Sequence, residues 1–150
     1  MAEPEILTIE ELIRATETMV ELPGLSKELG VRKIRVRRLG RTEYFGLLPP
    51  LPTEAEDWPA DEFQARERAW LESIGPDELE GRRQALRDLD FRIVAKASLE
   101  PALTVDQARR LGDDAAVAAL EILVFSRLRK PAAAVEATPD AAAETPGDAP

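Results

Sequence analysis

The sequence predicts a mainly helical α+β domain over residues 1–130, in which a small antiparallel β-hairpin packs on five or six helices, followed by a disordered tail over 131–150. Three observations carry that prediction. Val20 and Leu22, and then Ile34 and Val36, stand at the two-residue alternation of half-buried strands. Most other apolar residues recur at helical spacing between capping and stop signals. Beyond Lys130 the chain turns to Ala, Pro, Thr and acids, with Val135 its only sizeable apolar side chain, so burial cannot offset the entropy of ordering it.

The elements follow in order. Thr8 and Glu11 form a capping box, and Ile9, Leu12, Ile13 and Thr16 continue at helical spacing, which predicts a helix from about Thr8 to Thr18. Val20 and Leu22 flank Glu21 in a strand, and Pro23-Gly24 reads as a turn. Ile34 and Val36 alternate with Lys33, Arg35 and Arg37 in the second strand, giving a hairpin with one apolar and one charged face. Glu21 is expected opposite an arginine of that strand, a pairing that leaves most of the arginines unengaged. Thr42 is the expected cap of a helix carrying Tyr44, Phe45, Leu47 and Leu48 on its buried side, stopped by Pro49, Pro50 and Pro52.

An acidic extended linker is expected up to Pro59. A helix then carries Phe63, Trp70, Leu71 and Ile74 and ends at Gly75-Pro76. Asp77 is read as the cap of one long helix to about Leu99, ended by Glu100-Pro101. Thr104 and Gln107 form a second capping box for a short helix that stops at Gly112. Asp113 is read as the cap of the last helix. With only Glu121 charged between Ala115 and Phe125, that helix is predicted at the centre of the core.

Composition excludes several chemistries. There is no cysteine and no histidine, so disulfides, the usual zinc, haem and iron–sulfur ligand sets, and Ser–His or Cys–His couples are all ruled out. Carboxylate chemistry and hard-cation sites remain. No run approaches the roughly 20 apolar residues of a membrane crossing, and the acidic opening MAEPEILTIEEL is unlike a signal peptide, which predicts a cytoplasmic protein with no membrane partner. The net charge of −9, from 29 acids and 20 bases, disfavours nucleic acid. Arg32, Lys33, Arg35, Arg37, Arg38 and Arg41 nevertheless form a patch that no acid interrupts. Nucleic-acid binding would want aromatics interleaved among them, and Tyr44 and Phe45 lie outside. Two readings stay open: a solvated face that pairs with the chain's own acidic segment, or a docking surface for an acidic or polar protein partner. These six are the candidate partner-binding residues.

The carboxylates offer no site. Asp57, Asp61 and Glu62 match no EF-hand spacing and read as helix-entry acids. Asp88 and Asp90 point about 200° apart on a helix, and Asp88 is expected to pair with Arg92. Glu121 is read as marking a solvent stripe or meeting Arg109 or Arg110. No catalytic, cofactor-binding or metal-binding residue is assigned, no cofactor is expected, and the chain is read as non-enzymatic.

In the order and character of its segments the chain resembles the tail assembly chaperones of long-tailed bacteriophages and prophages. Val20-Glu21-Leu22-Pro23-Gly24-Leu25 is similar to that family's VxLPGLG-type first strand. The basic strand from Val31 to Leu39 follows, and Thr42-Glu43-Tyr44 resembles its LTxxEY helix start. In the C-terminal half, the stretch from Ile93 to Thr104 resembles the family's helix and VDPPLT segment, and an Ala- and acid-rich tail is typical. The likeness covers most of residues 6–128 and fades between Leu51 and Gly75. It implies a non-enzymatic role in the host bacterial cytoplasm: binding the tape measure protein and keeping it soluble until tail tube subunits polymerise. A frameshifted longer form that recruits tail tube protein is also implied. The competing class is a structural phage component such as a head–tail connector or tail terminator. Homo-oligomerisation is left open by the sequence.

Overall fold

The structure, a computed structural model, describes residues 3–131. The predicted tail lies outside these apart from Pro131. Among the described residues the fold is mainly helical, with eight α-helices and one three-stranded antiparallel sheet. The stretch read as one domain falls into two compact units. One comprises the described residues up to Tyr44 together with Asp90–Arg129, the other Phe45–Leu89 together with Lys130 and Pro131.

In the first unit, α1 (Ile9–Thr16) opens on the expected capping box of Thr8 and Glu11 and runs directly into β1 (Glu17–Glu21). β1 pairs antiparallel with β2 (Lys33–Arg37), with Val20 opposite Ile34 and Thr18 opposite Val36. Ile34, Val36 and Val20 are buried on one face, while Glu17, Met19, Glu21, Lys33, Arg35 and Arg37 lie on the other. Glu21 stands opposite Lys33 and not opposite an arginine.

The expected tight turn is instead a short helix, α2 (Pro23–Leu29). Pro23 occupies its first turn, where a missing N–H costs nothing, and Gly30 ends it at φ 85°, a conformation that a Cβ would strain. Its N-terminal amides are capped from far along the chain. Asp114, buried in the first turn of α8 (Asp113–Ser126), accepts hydrogen bonds from the N–H groups of Gly24 at 2.7 Å and Leu25 at 2.9 Å. Gly24 permits this approach, because a Cβ there would lie 3.0 Å from Asp114 Oδ1. Gly112, and not Asp113, caps α8.

α8 lies against β1 and α2. Ala115, Ala118, Ala119, Ile122 and Leu123 are buried, whereas Val117, Leu120 and Val124 are 38%, 58% and 69% exposed. The prediction of burial on nearly every side is therefore corrected. β1 and α2 pack against the inner face of this 14-residue helix, and its outer face is left exposed.

α3 (Arg41–Leu47) starts before Thr42. Gly40 O accepts from Tyr44 N–H at 3.0 Å, and Glu43 Oε1 accepts from Gly40 N–H at 3.0 Å. Tyr44 is buried and its hydroxyl donates to Arg129 O at 2.8 Å, while Phe45 is 55% exposed, against its expected burial. Burial first, and the nearby Asp90 charge second, push the Tyr44 phenol up to about 12. Leu39 N–H donates to Ser126 Oγ at 2.9 Å, tying the segment after β2 to the end of α8.

The single helix expected up to Leu99 is two, α5 (Pro76–Arg87) and α6 (Leu89–Ala97). Ser98–Glu100 then forms β3, pairing antiparallel with β2 across a register shift at Arg35/Val36. Helical periodicity before it carries no sign of this strand, which exists because β2 offers its second edge. The expected short helix is α7 (Val105–Arg109), with the capping box of Thr104 and Gln107.

The second unit holds a 3₁₀ turn at Thr53–Asp57, where an extended linker was expected, then α4 (Phe63–Ser73) and α5. Trp58 and Phe63 meet edge to face at 5.4 Å, and Arg82 lies over the Trp70 ring at 4.8 Å while donating to Pro50 O. Gly75 caps α5 with Pro76 in its first turn, displacing Asp77 from the expected cap.

Candidate partner-binding surface

The six predicted basic residues do not form one open face. The pleat brings Lys33, Arg35 and Arg37 to the outer side of the sheet, and places Arg32, Arg38 and Arg41 beyond the strand ends. Arg35 makes ion pairs with Glu17 across the sheet and with Glu100 of β3 at 3.2 Å. The hydrogen bonds it donates to Glu17, then to Glu100, raise its already high pKa. Arg37 grips Glu43 with both terminal nitrogens, at 2.9 and 2.6 Å. Arg38 lies over the Phe125 ring at 4.9 Å. Arg32 donates to the carbonyls of Val31 at 3.1 Å and Gly30 at 3.4 Å. The central two arginines thus direct their charge into the fold. Their partners come from β1, β3 and α3, and not from the acidic segment between Thr53 and Glu80.

Glu43 is the most perturbed acid of this set. The Arg37 guanidinium, followed by the Gly40 N–H, lowers its pKa from about 4.5 to about 2. A depressed carboxylate stabilises the fold above its unfolded pKa, and that stabilisation is lost as pH falls from about 4.5 through 2. Because the side chain is 36% exposed, solvent screening limits the contribution to about 1 kcal/mol. Glu43→Gln is expected to lose that amount at pH 7 in urea unfolding. The deficit relative to the native chain should shrink steadily between pH 4.5 and 2, and a deficit that stays constant with pH would assign the effect to packing.

A cleft of about 390 Å³ lies beside this network, lined by Thr16, Glu17, Arg37, Arg38, Leu39, Gly40 and Leu99. Its charged walls are the ion-paired Glu17 and Arg37 and the ring-stacked Arg38. Among the described residues no group of three or more acids could hold a metal ion. Glu62 precedes α4 and pairs with Arg66 at 3.3 Å. Glu121 is exposed, in the solvent-stripe position, while Arg109 pairs with Asp106 at 2.8 Å.

The apolar side of the first helix lies on the surface. α1 has no buried residue. Ile9, Leu12 and Ile13 on its apolar side are 72%, 42% and 48% exposed, and Ile6 and Leu7 just before it are 90% and 62% exposed. A second stripe runs along α8 through Val117, Leu120 and Val124. Helical periodicity reports that a face is apolar without saying whether the same chain covers it. Contiguous exposed apolar side chains of this kind mark interaction surfaces. No helix among the described residues is long and apolar enough to cross a membrane.

No family model, curated protein or solved structure matches the chain.

Proposed function

We propose that this chain is a tail assembly chaperone of a long-tailed bacteriophage or prophage, acting in the host cytoplasm. In this role it binds the helical tape measure protein and keeps it soluble until the tail tube polymerises. The observation that supports this reading best is the uncovered apolar stripe of α1. An amphipathic helix whose apolar side meets water can receive the apolar stripe of a helical client through contacts at i, i+3 and i+4. The net charge of −9 would keep such a complex dispersed. Arg32 and Lys33, exposed at the start of the basic strand, supply polar contacts to acidic client segments. The chain performs no catalysis, and a frameshifted longer form recruits tail tube protein.

Co-expression with the tape measure protein of the same genome tests this. The native chain is expected to hold the client in the soluble fraction and co-purify with it. Leu12→Glu should abolish co-purification while helical circular dichroism stays unchanged, since Leu12 is already partly in water. A tape measure protein equally soluble without the chain would sink the proposal. Mass spectrometry of purified virions should not find the chain, and finding it there at stoichiometric level would favour a structural subunit.

A further inference from the structure

We infer that, in the absence of a client, two copies of the chain form a closed two-fold dimer in which the α1 stripe of each copy covers the α8 stripe of the other. This goes beyond the chaperone reading and does not depend on the client's identity.

Both stripes belong to the same compact unit, and both lie uncovered among the described residues. They match in length: Val117 to Val124 spans about 10 Å of helix, close to the reach of α1 with its leading Ile6 and Leu7. A copy cannot cover its own α8 by swinging α1 over, because Thr16 is followed directly by Glu17 of β1 with no linker. In a symmetric pair each copy gives its α1 and receives its partner's, so the same contact forms twice and every stripe is covered. Their apolar surface, with the polar flanks, is of the order of the roughly 800 Å² per partner that a standard interface buries. Pairing α1 with α1, or α8 with α8, would leave one stripe of each copy in water and bury about half as much.

Charge selects the orientation. Glu10 and Glu11 stand at the start of α1 behind Glu3 and Glu5, and Arg14 stands near its end. α8 has the same polarity, with Asp113 at its start, the exposed Glu121 flanking the middle of its stripe, and Arg127 and Arg129 at and beyond its end. Antiparallel crossing sets the acids of α1 beside Arg127 and Arg129 of the other copy, and Arg14 beside its Asp113. Parallel crossing would bring Arg14 toward Arg127 and Arg129, with like charges adjacent.

Sedimentation equilibrium of the purified full chain at about 100 µM tests the arrangement, since association is driven by mass action. A species of twice 16.6 kDa is expected. Leu12→Glu on α1 and Leu120→Glu on α8 should each weaken dimerisation at least about 100-fold by placing a charge in an apolar contact. Both sites are exposed in the single chain, so circular dichroism and melting temperature of the monomers should be unchanged. A monomeric native chain overturns the inference. So does dimer loss in only one variant, which would indicate pairing of like helices, and so does growth beyond a dimer with concentration. Leu120→Glu also separates this proposal from the chaperone reading, because it should abolish the dimer yet still solubilise tape measure protein.

Discussion

Asp114→Ala is expected to destabilise the fold by about 2–3 kcal/mol, although Asp114 opens a helix that carries only one charge, Glu121, between Ala115 and Phe125. Its carboxylate is 6% exposed and holds the first amides of α2, 90 residues earlier in sequence. Removing it leaves the N–H groups of Gly24 and Leu25 without their acceptors, exposes the positive end of α2 and opens a gap between α2 and α8. Asp114→Asn keeps one acceptor oxygen but turns an NH₂ toward the second amide, donor against donor, so it should recover no more than half. Gly24→Ala tests the same contact from the other side. Its Cβ would meet both carboxylate oxygens, at 3.0 and 3.1 Å, and about 1–2 kcal/mol of overpacking is expected. Because that clash needs the carboxylate, the double variant should cost less than the sum of the two singles. Urea unfolding with midpoints and slopes checks all four chains. Strict additivity would show that Gly24 and Asp114 do not meet.

Ile122→Ala is expected to cost about 2–5 kcal/mol, and Leu120→Ala, two residues earlier on the same helix, less than about 0.5 kcal/mol. Ile122 is 0% exposed on the face of α8 that belongs to the core, so truncation removes burial and leaves a cavity. Leu120 is 58% exposed and already meets water. Thermal melts of the two variants below the concentration at which the chain associates give the comparison directly. Equal losses would mean that the outer face of α8 is covered within the single chain.

Local signals gave the elements whose determinants are local. The two capping boxes, Thr8 with Glu11 and Thr104 with Gln107, are formed as their spacing predicts, because the side chain that accepts and the amide that donates are three residues apart. The alternation of Ile34 and Val36 likewise set which face of β2 is buried. Where sequence reasoning missed, distant residues usually decided. Ser98–Glu100 ends a helical pattern and becomes a strand because β2 has an edge to offer. α2 is the exception, since its Pro at the start and Gly at the end are a legible helix signature that the turn reading passed over.

The candidate surface divides in the same way. Composition alone determined that no cysteine or histidine chemistry is available and that a basic strand stands in an acidic chain. Tertiary structure decided that Arg35 and Arg37 meet Glu17, Glu100 and Glu43, because the sheet and α3 bring together carboxylates between 6 and 65 residues away. It also decided that the apolar sides of α1 and α8 stay in water. An apolar stripe lowers free energy equally well against its own chain or another, so its pattern records the need for a cover, and only the packed fold reveals that the described residues do not supply one.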